Sequence, residues 1–256
     1  VDSNAVGVNN TGGPVLSYIQ VDVTCNTNSN GSIDLTVSVG TPPYSFTWSN
    51  GETTEDINNL TAGTYSVTVV DSNNCFANEI VIINEPPVLT SNITSSDVSC
   101  NGWSDGYAFL TVTGGILPYS FNWSNGDTIE DIINLTAGIY SVIITDSNGC
   151  SIYDTVLINE PAALTTNIVR ANIQCNGDST GFADLTVTGG TLPYTYSWSN
   201  GVTTQDISNL AAGIYYVSIT DGMGCTVNDS VTIEEPPALS ATIAGTNVSC
   251  NGACDG

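Results

Sequence analysis

Residues Tyr44-Ser45-Phe46-Thr47-Trp48-Ser49-Asn50-Gly51 decide the fold class. Tyr44, Phe46 and Trp48 sit at every second position and so share one face, the mark of a half-buried strand. Asn50-Gly51 ends the run and is a strong hairpin signal. The pattern returns at constant spacing as Trp123-Ser124-Asn125-Gly126, and again as Trp198-Ser199-Asn200-Gly201. Because the tryptophans keep parity with the aromatics before them, they are expected in a core rather than as sugar-stacking platforms.

The alternation extends outward from this stretch. Ile33, Leu35, Val37 and Val39 share a face, as do Tyr65, Val67 and Val69. Val81 and Ile83 recur as Val156 and Ile158, then as Val231 and Ile233. Asp146-Ser147-Asn148-Gly149 reads as another tight turn. Leu60-x-x-Gly63-x-Tyr65 resembles the corner before the penultimate strand of immunoglobulin-like domains, where a tyrosine hydrogen-bonds nearby backbone. Short strands with frequent turns, and no sustained helical period, predict an all-β chain. Its expected architecture is a rod of tandem immunoglobulin-like β-sandwich repeats, each about 75 residues long.

Cysteines at 25, 75, 100, 150, 175, 225 and 250 keep the same period; Cys254 alone falls outside it. Glu85-Pro86, Glu160-Pro161 and Glu235-Pro236 close each unit. The expected organisation is a degenerate end of a preceding repeat or an extension over 1–13, and repeats over 14–86, 87–161 and 162–236. The start of a fourth repeat covers 237–256, so the chain reads as a window on a longer array.

An even cysteine count at regular spacing reads as disulfides in an oxidising, extracellular compartment. Repeat equivalence leaves three sets open. One pairs Cys25–Cys75, Cys100–Cys150 and Cys175–Cys225. Another pairs Cys75–Cys100, Cys150–Cys175 and Cys225–Cys250. The third joins neighbouring repeats through Cys25–Cys150 and Cys100–Cys225. Bridged Cα atoms must lie within ~7 Å, so topology discriminates. Ordinary immunoglobulin strand order puts the two cysteines of a unit at opposite poles and makes the between-repeat set natural. An up-and-down order brings the two cysteines of one unit together.

Charge narrows the function classes. The chain has 256 residues, 25 acids, one base (Arg170) and no lysine or histidine, for a net charge of −24. Such a polyanion repels nucleic acid and anionic membranes. No apolar run is long enough for a membrane span. Nucleophilic catalysis by a Ser-His or Cys-His pair lacks its base. Glu55-Asp56 and Glu130-Asp131 are the remaining paired carboxylates, but the third unit has Gln205-Asp206. A catalytic pair would not be copied along an array and then altered, so no enzyme activity is expected.

The motif set resembles the SprB-type repeat of Bacteroidota surface and gliding adhesins. The residues that carry it are Cys100-Asn101-Gly102, Asp105-Gly106, Gly114-Gly115, Pro118-Tyr119, Trp123-Ser124-Asn125-Gly126, Leu135-x-x-Gly138-x-Tyr140, Asp146-x-x-Gly149-Cys150 and Glu160-Pro161. In the first unit Val39-Gly40 stands where the others have Gly-Gly. The resemblance implies immunoglobulin-like or PKD-like repeats, secretion, and a role in adhesion or gliding.

Several residues are candidate sites. Asp71, Asp105, Asp146, Asp178 and Asp221 are weak calcium candidates, without an EF-hand pattern; no other cofactor is expected. Thr128, Thr155 and Ser230 lie in Asp-Ser/Thr-aliphatic sequences that resemble a Bacteroidota O-glycosylation signal, and Ser179 fits it loosely. Trp103 has Asn28, Asp178 and Ala253 as repeat equivalents, and is a candidate ligand contact. The expected function is the structural or adhesive shaft of an extracellular bacterial surface adhesin or fibre. The alternative is a multivalent carbohydrate-binding repeat module. Expected partners are neighbouring repeats of the same chain, identical chains in a filament, and surface glycans or substrata.

Overall fold

The structure is a computed structural model that describes residues 12–245 and Asn251. Cys250 and Cys254 lie outside the described residues. The described part contains strands and turns with no helix. The first repeat forms β1 (Val15–Val21), β2 (Gly31–Val39), β3 (Ser45–Trp48), β4 (Ile57–Leu60), β5 (Gly63–Val70) and β6 (Phe76–Ile83). The second forms β7 (Thr90–Ser96), β8 (Gly106–Thr113), β9 (Ser120–Trp123), β10 (Ile132–Leu135), β11 (Gly138–Thr145) and β12 (Ser151–Ile158). The third forms β13 (Thr165–Ala171), β14 (Gly181–Thr188), β15 (Thr195–Trp198), β16 (Ile207–Leu210), β17 (Gly213–Thr220) and β18 (Thr226–Ile233).

Each repeat builds two three-stranded antiparallel sheets. In the first the orders are β1-β2-β4 and β3-β5-β6. This is the strand order of an immunoglobulin-like sandwich reduced to six strands, and the other two repeats copy it. The order corrects one expectation. Asn50-Gly51 does make a tight turn, with Gly51 N donating to Trp48 O at 3.0 Å. The strands it leads between, β3 and β4, belong to different sheets, so the turn is a crossover and not a hairpin. The consecutive strands that do pair are β1–β2 and β5–β6, the latter a tight hairpin from Gly63↔Ile83 to Val70↔Phe76 around the Asp71–Cys75 turn.

The two sheets bury their inward residues against each other. In the first repeat the core holds Val23, Ile33, Leu35, Trp48, Ile57, Leu60, Val67, Val69, Val81 and Ile83. In the third, Leu185, Trp198, Val217, Ile219 and Ile233 are among the equivalents. Burying each such aliphatic side chain contributes about 1.5–3 kcal/mol. Trp48, Trp123 and Trp198 are buried. Their indole N–H groups donate to Thr54 O at 2.9 Å, Ile129 O at 3.0 Å and Thr204 O at 3.0 Å, so burial leaves no donor orphaned. The corner tyrosines behave as their motif implies: Tyr65 Oη donates to Thr61 O at 3.0 Å and Tyr215 Oη to Ala211 O at 3.1 Å.

The Gly-Gly pair has a packing cause. Gly114 has φ +76°, and a Cβ there would lie 1.7 Å from Val88 O. Gly189 repeats this against Ala163 O. In the first repeat the strand edge differs. Val39 pairs with Val15, a register shift follows between Val15 and Leu16, and Val39 is 41% exposed instead of sharing the buried face of Ile33.

Two compact units organise the chain. One runs up to Ser96 and adds Tyr107–Ile133 and Gly138–Leu157; the other holds Asp97–Gly106, Asn134–Ala137 and the residues from Ile158 onward. Each unit contains one disulfide.

Candidate functional site

The site with the most built chemistry is the junction at each disulfide. Two loops meet there. The first follows the opening strand of a repeat. Asn28 N donates to Cys25 O at 3.1 Å and Thr27 takes φ +64°. The closing Glu-Pro of the same repeat pins this loop: Thr27 N donates to Glu85 Oε2 at 2.9 Å and Asn26 Nδ2 to Pro86 O at 3.2 Å. At Cys100 the equivalent bonds run from Gly102 N to Glu160 (2.7 Å) and from Asn101 to Pro161 O (3.1 Å). At Cys175 they run from Gly177 N to Glu235 (2.8 Å) and from Asn176 to Pro236 O (3.0 Å). The recurring Cys-Asn and Glu-Pro motifs are thus one device that holds the first cysteine in place.

The second loop is the hairpin turn that carries the later cysteine. Asp146 Oδ1 accepts the N–H groups of Asn148 and Cys150 at 2.9 Å each, and Oδ2 accepts Ile116 N at 3.0 Å. Asp71 does the same for Asn73, Cys75 and Thr41, and Asp221 for Met223, Cys225 and Thr191. All three aspartates are buried. At Asp71 and Asp221 burial opposes ionisation, but the backbone N–H bonds outweigh it and hold both carboxyls below the usual range. A carboxylate that accepts three amides this way is a turn anchor and has little left for calcium. Asp105 serves its own loop, accepting Ser99 N at 3.0 Å together with the Ser99 hydroxyl. Asp178 is exposed, its N–H on Cys175 O at 3.2 Å. Among the described residues, no group of three or more metal-ligating side chains is assembled.

The two loops meet across neighbouring repeats. Cys25 bonds Cys150 and Cys100 bonds Cys225, each over 125 residues, with Cα atoms 5.7 Å apart. Asn148 Nδ2 also donates to Thr24 O at 3.0 Å across the first junction. Of the three pairings open to the sequence, the structure takes the between-repeat one. The reason is the sandwich order, which sends the opening loop and the β5–β6 turn of one repeat to opposite ends. Cys75 and Cys175, which the other two sets would have bridged, are free thiols, as the between-repeat set leaves them. Both closed bridges span 125 residues, and in that register neither Cys75 nor Cys175 has a partner position between Val1 and Gly256.

A cavity of about 440 Å³ lies beside the Cys25–Cys150 bridge, lined by Asn26, Pro86, Val88, Leu89, Gly115 and Ile152 among others. Its one carboxylate, Asp146, is already committed to three amides. A cavity of about 280 Å³ beside the second bridge is lined by Trp103, Ala163, Leu164 and Val227, with Trp103 54% exposed. Thr128, Thr155, Ser179 and Ser230 are all exposed. The hold of Glu-Pro on the cysteine loop escapes a reading of the motifs one at a time; its signal is the constant spacing from Glu-Pro back to Cys-Asn.

Fold and junction together define a tandem β-sandwich repeat protein whose neighbouring repeats are stapled. The SprB repeat family matches residues 17–53, 92–128 and 167–203, so one stretch in each of the three repeats is similar to a SprB repeat. Each match runs from the opening strand through the cysteine loop to the Trp-Ser-Asn-Gly turn. No curated protein matches the chain. Among solved structures, similarity is found to the N-terminal eight Ig domains of Down Syndrome Cell Adhesion Molecule isoform 1.30.30. There the identity is 11% and the TM-score 0.33, covering 87% of this chain and 37% of that one. The complex of Dpr2 Ig1-Ig2 with DIP-Theta Ig1-Ig3 gives 12% identity and a TM-score of 0.33, covering 87% and 99%. Drosophila OTK extracellular domains 3-5 give 13% and 0.31, covering 88% and 96%.

Proposed function

We propose that this chain is a segment of the structural and adhesive shaft of an extracellular bacterial surface protein, and that it acts without catalysis. The observation that supports this reading best is the pair of disulfides that join each repeat to the next. A bridge inside a domain stabilises that domain, whereas a bridge between repeats resists their separation. That is the property a spacer under tension needs, and it requires an oxidising compartment. The acidic, lysine-free surface suits exposure outside the cell and disfavours nucleic acid as a partner. Secretion, adhesion to glycans or other substrata, and O-glycosylation at Thr128, Thr155, Ser179 or Ser230 belong to the same reading. Antibody against the chain should label intact, unpermeabilised cells of its source; labelling only after permeabilisation would overturn it.

Trp103 favours a second reading, a carbohydrate contact on the shaft. It is the exposed tryptophan among four, beside a cavity that mixes polar and apolar lining. An aromatic face next to a shallow depression suits a sugar ring. Glycan binding lost in Trp103→Ala would support it.

A further inference from the structure

We propose that each bridged junction carries a shallow site for a neutral saccharide, and that the residue three places after the opening-loop cysteine, Asn28 or Trp103, selects the sugar. The proposal rests on the carbohydrate reading of Trp103 and extends it from one tryptophan to a site that recurs along the chain.

The cavities beside the two bridges are copies of each other. All eight residues lining the second stand one repeat after residues lining the first: Asn101 after Asn26, Trp103 after Asn28, Leu164 after Leu89 and Val227 after Ile152, with the other four in step. Each wall comes from a different repeat. The opening loop of one supplies Asn28 or Trp103, and the repeat that follows supplies Leu89 and Ile152, or Leu164 and Val227. The disulfide ties one wall to the other. The loop is pinned alike at both: Asn28 N donates to Cys25 O and Trp103 N to Cys100 O at 3.1 Å each. Asn26 Nδ2 donates to Pro86 O at 3.2 Å, and Asn101 Nδ2 to Pro161 O at 3.1 Å. Walls fixed before a ligand arrives lower the cost of binding it.

The lining fits a neutral ligand with one apolar and one polar side. Leu89 with Ile152, or Leu164 with Val227, gives the apolar side, and Ser151 or Thr226 adds a hydroxyl at the same place in both. A sugar ring offers the match, a C–H face and a rim of hydroxyls. Charge excludes the alternatives. Among the described residues, nothing lining the second cavity is ionisable besides the bonded cysteines, and Asp146 in the first is committed to three amides. A cation therefore finds no free carboxylate there, and a chain of net charge −24 repels anions. Volumes of about 440 and 280 Å³ suit one or two rings. The position that differs is the one facing solvent. Trp103 presents an aromatic ring on which a sugar can stack, where Asn28 presents an amide. The loop accepts either without refolding, since Asp178 at the same place in the third repeat keeps the bond to its cysteine, N to Cys175 O at 3.2 Å. Weak sites repeated along one chain add avidity.

The test compares the full chain with two single variants, Trp103→Asn and Asn28→Trp. Each is titrated with neutral oligosaccharides of glucose, galactose, mannose and N-acetylglucosamine, and calorimetry reads affinity and sites per chain. The saccharide that wild type binds through Trp103 should occupy one site per chain. Trp103→Asn should weaken it about tenfold. Asn28→Trp should bind it at two sites per chain. Loss in Trp103→Asn with no second site in Asn28→Trp would overturn the recurring site and leave Trp103 as a solitary contact. No saccharide bound by wild type, or binding that Trp103→Asn leaves unchanged, would overturn the carbohydrate reading as well. Peptide mapping of Cys25–Cys150 and Cys100–Cys225 in each sample shows that the variants keep their junctions.

Discussion

Cys150 N donates to Asp146 Oδ1 at 2.9 Å, and Asp146 N donates to Cys150 O at 2.9 Å. The same reciprocal pair joins Asp71 to Cys75, whose thiol is free, so the turn is set by the aspartate and does not need the bridge. A pH dependence follows for Asp71 and Asp221. Their folded carboxyls titrate below the ordinary value of 3.8. A depressed folded value means that the stabilisation is present above the ordinary value and is lost as pH falls toward the lower one. Acid also relieves the self-repulsion of the other acids, which pulls the opposite way. The comparison that isolates the turn is therefore between wild type and Asp221→Asn. In thermal melts the variant should melt lower near neutral pH, and the gap should narrow as pH drops below 3.8. A gap constant down to the lowest pH would contradict the assignment.

Trp123 tests the core. It is 2% exposed, and its indole N–H is satisfied by Ile129 O. Trp123→Ala should cost about 3–5 kcal/mol in denaturant unfolding through the cavity it leaves. Trp123→Phe keeps most of the ring packing but orphans the Ile129 carbonyl and should cost less. A surface platform would show almost no effect in either variant.

Two glycines separate backbone conformation from close approach. Gly201 has φ +86°, and a Cβ there would meet nothing, so Gly201→Ala should cost about 1–2 kcal/mol from the left-handed backbone alone. Gly189 has φ +78°, and its Cβ would also lie 2.0 Å from Ala163 O. Gly189→Ala must push the strand entry at Ala163 aside and should destabilise clearly more. Equal melting shifts for the two would mean that the Ala163 contact yields freely.

Most of the fold could be read because its signals are local. The alternation of Ile33 and Leu35, the Trp-Ser-Asn-Gly turn and the Leu-x-x-Gly-x-Tyr corner each report their own neighbourhood. Two features could not be read that way. The Asn50-Gly51 turn fits a hairpin and a crossover equally well, because β3 pairs with β5 and not with β4, a choice made beyond the turn itself. The disulfide partners depend on which ends of neighbouring repeats meet, which no spacing inside one repeat encodes. Trp103 stands out in the sequence because none of its repeat equivalents is a tryptophan; its place beside Cys225 is visible only in the folded junction.

Proteolysis checks the second bridge directly. Arg170 is the chain's one tryptic site, since lysine is absent. It lies in β13 with Nη1 on Thr232 O at 2.5 Å, so cleavage needs unfolding. In denaturant without reductant, trypsin should cut after Arg170 yet leave the two pieces joined, because Cys100 lies before the cut and Cys225 after it. Adding reductant should release residues 1–170 from 171–256. Release without reductant would exclude the Cys100–Cys225 bond.

The interleaving of the two bridges predicts how the chain behaves under tension. Cys25 and Cys225 are connected by the whole backbone between them, but a shorter covalent path exists. It crosses from Cys25 to Cys150, follows the backbone back to Cys100, and crosses to Cys225. At roughly 3.5 Å per extended residue the backbone path is about 700 Å and the bridged path about 175 Å. When the chain is pulled by its ends in a single-molecule experiment, the oxidised protein should therefore stop extending about 500 Å short of the reduced one. The missing length lies in segments that carry no load, so repeats can unfold without lengthening the tether fully. Cys100→Ser alone should restore part of it, because the path then runs from Cys150 forward along the backbone to Cys225. That stretch is longer than the one from Cys150 back to Cys100, and the gain is about 90 Å. Bridges within each repeat would shorten the tether by a similar total, but in independent segments, and Cys100→Ser would then return about 175 Å. Bridges across the Glu-Pro turns would withhold only about half the total length. A shortfall of about 500 Å together with a gain of about 90 Å after Cys100→Ser therefore identifies the interleaved connection.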